Sequence, residues 1–210
     1  MIIIPVYNGV DLLDVAGPFE MFHWAGIETH LVAELPGDIT CNSGLVLRVE
    51  TGFADAPACE VLWTPGGDPA ALFAQMNQPS RAYLDFLVRQ SSGARYVASV
   101  CEGALLLAAA GLLDGYTVTT HWAFIPCLLQ RFPKVTVADG HPRFHLDRNR
   151  LTGGGISSGL DESLELIRLL RGEATARRVQ QVTQYYPRPP VSSEIPATIG
   201  CPLDDATADH

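Results

Sequence analysis

Positive charge is scarce in this chain. Its 210 residues carry 14 Lys and Arg against 23 Asp and Glu, a net charge of −9. Nucleic acids and anionic lipid surfaces are held by basic patches, so neither nucleic acid nor membrane is expected as a partner. Paired cysteines are missing too. Cys41, Cys59, Cys101, Cys127 and Cys201 are scattered, odd in number and without CxxC spacing. That pattern suggests neither a zinc site nor a disulfide framework. No apolar run reaches the length of a membrane span. Residues Met1 to Tyr7 lack a basic leader and a cleavage site, and read as a first strand and not as a signal peptide. No internal repeat or linker divides the chain. The expectation is a globular protein in a reducing cytoplasm, with a full core drawn from its 47% hydrophobic residues.

What is present alternates between two periodicities. Residues 1–7, 27–34, 46–49, 60–64, 94–100 and 117–120 read as strands. Helical patterns cover 11–25, 80–91, 103–110, 122–132, 158–171 and 173–185. Strands alternating with helices predict an α/β fold: a mostly parallel sheet sandwiched between helices. Residues 135–152 contain short strands around the polar turn 147–150 and predict a small β-hairpin. One domain is expected over 1–186. The tail 187–210 holds Pro187, Pro189, Pro190, Pro196 and Pro202, which bar a long helix or a central strand. It is expected to wrap over the body or a partner, or to be loose.

Cys101 stands where the 94–100 strand meets Cys101-Glu102-Gly103 and a helix begins. A nucleophile on such a turn, a nucleophile elbow, is lifted above the sheet. The adjoining helix N-terminus is expected to lower the thiol pKa and favour the reactive thiolate. In open α/β sheets ligands bind at the carboxyl ends of strands. Pro65-Gly66-Gly67, Cys101-Glu102-Gly103, His121 and Gly153-Gly154-Gly155 are expected to converge there.

Leu13-Asp14-Val15-Ala16-Gly17-Pro18-Phe19-Glu20, Pro65-Gly66-Gly67, Val100-Cys101-Glu102-Gly103, Ala109 to Gly115, Thr120-His121-Trp122 and Leu151 to Ile156 occur in this order. As a set they resemble the ThiJ/PfpI superfamily, with the flavodoxin-like, class I glutamine-amidotransferase-like fold. The subgroup resembles isonitrile hydratase and the sensor domains of AraC-type regulators. The resemblance covers about residues 1–186. It implies a cofactor-independent hydro-lyase acting on a small molecule, an isonitrile hydrated to an N-substituted formamide through a covalent thioimidate on Cys101. It also implies a homodimer. Glyoxalase, deglycase or amidase chemistry, and a cysteine-based ligand or redox sensor without turnover, are the alternatives. The AraC-type relatives carry a helix-turn-helix domain after the sensor domain; here a short Pro-rich tail follows residue 186 and the chain is acidic, so a regulator role is not expected.

By the same resemblance Cys101 is the nucleophile and Asp14 the general acid/base, with a pKa raised by burial and the nearby thiolate. The pattern has Thr where this chain has Glu102. The Glu102 backbone N–H, with Gly67 or Gly66, is expected to hold developing negative charge, with Gly154 nearby. His121 is read either as a base for Cys101 or as a structural histidine. No metal constellation and no phosphate-binding loop appears in the spacing, so neither metal nor cofactor is expected.

Overall fold

The strands, in chain order, are Ile2–Pro5 (β1), Thr29–Ala33 (β2), Gly37–Thr40 (β3), Val46–Val49 (β4), Thr51–Gly52 (β5), Val61–Thr64 (β6), Tyr96–Ser99 (β7), Thr117–Val118 (β8), Thr136–Val137 (β9), Phe144–Asp147 (β10) and Arg150–Gly153 (β11). The α-helices are Leu12–Trp24 (α1), Pro69–Asn77 (α2), Ala82–Ser91 (α3), Gly103–Ala109 (α4), Ile125–Arg131 (α5), Ser158–Arg171 (α6), Glu173–Val182 (α7) and Pro202–Asp205 (α8). These elements come from a computed structural model, which describes residues 1–205.

Seven strands build one sheet in the order β10-β11-β7-β6-β1-β2-β5. All neighbours in it run parallel except the β10–β11 hairpin, where Phe144 faces Gly153 and Asp147 faces Arg150. β1 and β6 are buried along their whole length, as strands covered on both faces must be. Their Ile, Val and Leu side chains, with Trp63, are the centre of the core. The helices flank this sheet, and α1 packs against α6 beside the strand ends.

Two elements outrun the sequence reading. α2 begins with Pro69 in its first turn, and the Asp68 side chain accepts from Ala70 N at 3.0 Å and Ala71 N at 3.1 Å. This is a normal helix start, in a stretch the reading left without an element. β3 contains Gly37 and Asp38, poor strand formers, and exists because β4 pairs with it antiparallel.

The cysteine reading is corrected. Cys127 on α5 and Cys201 in the tail form a disulfide across 74 residues. A single long-range pair leaves no spacing signature. It forms because the tail folds back onto the body, where Leu203 is buried and Asp204 meets Arg131 at 2.6 Å. Cys41, Cys59 and Cys101 remain free and buried. Residues 206–210, the end of the expected tail, lie outside the described residues. No helix among the described residues is long and apolar enough to cross a membrane.

Candidate active site

Three turns meet at the carboxyl ends of β6, β7 and β11, and α1 lies beside them. At the end of β7, Cys101 adopts φ +56°. A non-glycine residue in the left-handed region is strained and persists only where its surroundings fix it. Here both flanking backbone groups are held. Cys101 N–H donates to Gly154 O at 2.9 Å, and the Thr120 hydroxyl donates to Cys101 O at 2.8 Å. Gly103 lets the helix start at once: a Cβ there would lie 2.1 Å from Thr64 O. Cys101 thus has the elbow geometry that its position predicts.

Asp14 sits in the first turn of α1 and is fully buried. Pro18 lies inside that helix and has no N–H to give the carbonyl four residues back. The freed Asp14 carbonyl accepts from Trp63 Nε1 at 3.0 Å instead. The Asp14 carboxylate accepts from Gly66 N at 2.9 Å through Oδ2. A sequence-local device, Pro18, and a core indole therefore fix the acid over the elbow.

Glu102 turns inward. The Cys101 thiol and the backbone N–H groups of Glu102 and Gly67 lie near its carboxyl and offset part of the burial that raises its pKa. A Cβ on Gly66 would lie 2.4 Å from Glu102 Oε2, so only glycine leaves room for this carboxyl. This bears on the oxyanion role expected of the glycines: the Gly66 N–H is occupied by Asp14, and the Gly67 and Glu102 N–H groups lie near the Glu102 carboxyl. Gly154 is likewise occupied: its carbonyl takes Cys101 N–H, and its N–H donates to Arg143 O at 2.8 Å. The Ile156 backbone N–H lies near the thiol and lowers its pKa slightly against the other causes; the sequence reading gave Ile156 no such role.

The electrostatics also depart from expectation. Burial pushes the Cys101 thiol well above its ordinary range, and the Asp14 and Glu102 carboxyls push it further. The helix N-terminus was expected to lower the thiol pKa; burial and the two acids push it the other way. Asp14 is raised by burial and by Glu102, as expected for an acid that holds its proton. Glu102 is pushed up to about 7, mainly by burial. The functional atoms of Asp11, Asp14, Cys101 and Glu102 all lie within 4.8 Å of one another. Sequence spacing showed no such cluster, because three turns and a helix bring it together.

A cleft of about 400 Å³, with Leu13, His121, Trp122, Ile156 and Ile195 among its lining, reaches Thr120 and Gly154, which hold the Cys101 backbone; Cys101, Asp14 and Glu102 do not line it. Cys101 itself is only 1% exposed.

Residues 1–168 match the sequence model of the DJ-1/PfpI family. The chain belongs to the DJ-1/PfpI family. It is 40% identical to isonitrile hydratase of Pseudomonas putida over 194 residues, 92% of this chain and 82% of that protein. The HTH-type transcriptional regulator GbdR of Pseudomonas aeruginosa is 28% identical over 166 residues, which span 79% of this chain and 42% of the regulator. Among solved structures, a ThiJ/PfpI family protein from Pseudomonas syringae superposes with a TM-score of 0.84 at 32% identity, covering 99% of this chain and 83% of that one.

Within this DJ-1/PfpI frame, two further residues stand apart. His121 caps the turn after β8: its Nδ1 accepts from Ala123 N at 3.2 Å and lies 4.0 Å from Glu102 Oε1. Burial lowers its pKa. Its Nδ1 is thus engaged with backbone and faces Glu102, which favours the structural reading over a base for Cys101. Glu162 on α6 was not anticipated at all. It is fully buried, both carboxyl oxygens lack partners, and its Oε2 lies where a Cβ of Gly153 would be. Burial and Asp14 hold its pKa well above the carboxylate range. The buried face of α6 carries Ser158, Gly159 and Ser163 beside Leu166 and Ile167, so the sequence held no signal that set Glu162 apart.

Proposed function

We propose that this protein is a cysteine hydro-lyase that hydrates a small apolar isonitrile to an N-substituted formamide. The observation that carries the reading is the pair of buried carboxyls, Asp14 and Glu102, whose functional atoms lie within 4.8 Å of the Cys101 thiol, with the Gly66 N–H taken up by Asp14. Acyl-transfer chemistry needs such N–H groups free for an oxyanion. Addition to an isonitrile carbon develops no oxyanion; it needs a base for the thiol and an acid for the carbon. The site offers both. The 40% identity to a Pseudomonas putida isonitrile hydratase supports the same reading.

In the proposed sequence, the Glu102 carboxylate takes the thiol proton as Cys101 Sγ bonds to the terminal carbon of R–N≡C. Asp14 delivers a proton to that carbon, giving the thioimidate R–N=CH–S. A water, deprotonated by Asp14, then adds to the carbon while the nitrogen takes the proton held by Glu102. The C–S bond breaks as the sulfur takes the proton on Asp14, the hydroxyl proton of the intermediate passes to Asp14 in its place, and R–NH–CHO leaves with both acids as they began. The sum is R–NC plus H2O. A raised thiol pKa suits this concerted transfer, since the thiolate exists only as it attacks. The apolar cleft lined by Leu13, Trp122, Ile156 and Ile195 receives the R group. No cofactor takes part. A homodimer and a cytoplasmic setting belong to the same proposal.

Formamide release from cyclohexyl isocyanide tests it. Turnover by wild type, abolished in Cys101→Ala, is the expected result. No turnover, with methylglyoxal consumed instead, would move the protein to the glyoxalase class.

A further inference from the structure

The cluster at the elbow has an unusual charge balance. Asp11, Asp14, Cys101 and Glu102 can all be anionic, their functional atoms lie within 4.8 Å, and three of the four are buried. Among the described residues no Lys or Arg pairs with them; only His121 approaches, at 4.0 Å from Glu102. A buried set of this kind holds either protons or a cation.

The geometry of the oxygens points to the second possibility. Two of the three carboxylates have one anchored side: Asp14 Oδ2 accepts from Gly66 N at 2.9 Å, and Asp11 Oδ1 accepts from Asn42 Nδ2 at 3.1 Å. Asp14 Oδ1 and Glu102 Oε2, on side chains 0% and 5% exposed, have no partner. One thiol proton serves at most one of them. Outer-shell donors that fix one oxygen while the other faces the centre are how proteins orient metal-ligating carboxylates.

We propose that this cluster is a binding site for a divalent cation of the zinc class, with Cys101 Sγ, Asp14, Glu102 and Asp11 as ligands. A thiolate ligand selects borderline metals such as Zn²⁺ or Co²⁺ over Mg²⁺ and Ca²⁺, which favour oxygen alone. Four protein ligands make a closed tetrahedral site, with no position left for water or substrate. The bound metal therefore withholds the thiol and silences the enzyme. Binding displaces the protons that the cluster holds, so it strengthens with rising pH. The inference rests on the same thiol as the hydratase proposal, but not on that reaction.

Co²⁺ titration of the metal-stripped full chain reads the site directly, through the thiolate-to-cobalt charge-transfer band and the visible bands of tetrahedral Co²⁺. The expected result is one Co²⁺ per chain, displaced by Zn²⁺, with the charge-transfer band gone in Cys101→Ala. Asn42→Ala leaves all four ligand residues in place and should weaken binding by about tenfold through Asp11. Glu102→Gln should weaken it by more. No band in wild type, a band surviving in Cys101→Ala, or equal affinity in wild type and Glu102→Gln would each overturn the proposal. The bands are read without substrate, so failure of the hydratase assay leaves this test intact.

Discussion

The carboxylates of this protein form two populations. On the surface they meet arginines: Asp161 with Arg143 at 2.6 Å, Glu165 with Arg168 at 2.7 Å, Glu173 with Arg177 at 3.0 Å. In the interior Asp14, Glu102 and Glu162 have no arginine, and each has a raised pKa with burial as the leading cause. Surface charges are compensated where compensation contributes least, since water already screens them. Buried charges are left to be neutralised by protons or, at the elbow, by the cation proposed above. The interior acids are thus arranged to hold and pass protons beside Cys101.

Breaking the interior set should have the largest effects. Cys101→Ala removes the nucleophile and should lower kcat/KM for an isonitrile by at least about a thousandfold. Asp14→Asn keeps the shape and the Gly66 contact but cannot supply the carbon's proton. A loss of about 10²–10⁴-fold in kcat is expected. Circular dichroism should show both variants folded. Activity within threefold of wild type in Asp14→Asn would remove Asp14 from the chemistry.

Glu102 sharpens the comparison, because its pKa is pushed only to about 7. As the base for the thiol it must be ionised, so kcat/KM should rise with pH through about 7. Glu102→Gln should lower activity by about a hundredfold at neutral pH and abolish that limb. Glu102→Thr clears the carboxyl from beside the Gly67 and Glu102 N–H groups and replaces it with a hydroxyl. If the limb survives in Glu102→Gln, another group supplies it.

Much of this site was legible in the residues. The strand, the Cys101 turn and the following helix are local signals, and they correctly place a strained cysteine above the sheet. The family motifs located Asp14. What stayed hidden depends on long-range contacts. The direction of the Glu102 side chain follows from the space that Gly66 leaves on another turn, and the Gly66 N–H looked free when Asp14 occupies it. The thiol's raised pKa follows from acids 87 residues before it and one after it in the chain, weighed against a helix dipole that sequence alone brings to the fore. The Cys127–Cys201 pair needed the path of the tail. Glu162 was invisible because helical periodicity does not say that a single acid faces inward.

Glu162 offers a middle-sized effect. Folding transfers it into a dry setting where its proton is held more tightly than in the unfolded chain, whose glutamates titrate near 4.3. The native state therefore binds the extra proton above about pH 4.3, and stability falls as pH rises from there towards the raised native value. Glu162→Met fills the same space without a polar group. It should raise stability at neutral pH by roughly 1–3 kcal/mol and flatten the decline with pH. Urea melts from pH 4 to 8 would measure both. A variant less stable than wild type at pH 8 would mean that Glu162 has partners that hold it charged.

The surface pairs complete the comparison from the other side. Glu165 meets Arg168 through two contacts, 2.8 Å to Nε and 2.7 Å to Nη2, three residues apart on α6. This is about the best geometry an exposed pair can have, yet solvent screens it and two long side chains must be ordered to make it. A double-mutant cycle of Glu165→Ala and Arg168→Ala should give a coupling of about 0.3–0.5 kcal/mol at low salt. In 1 M salt, where the Debye length is near 3 Å, it should nearly vanish. A coupling that persisted in high salt would place this pair with the interior acids, and charge at this surface would then have to be treated as buried charge is.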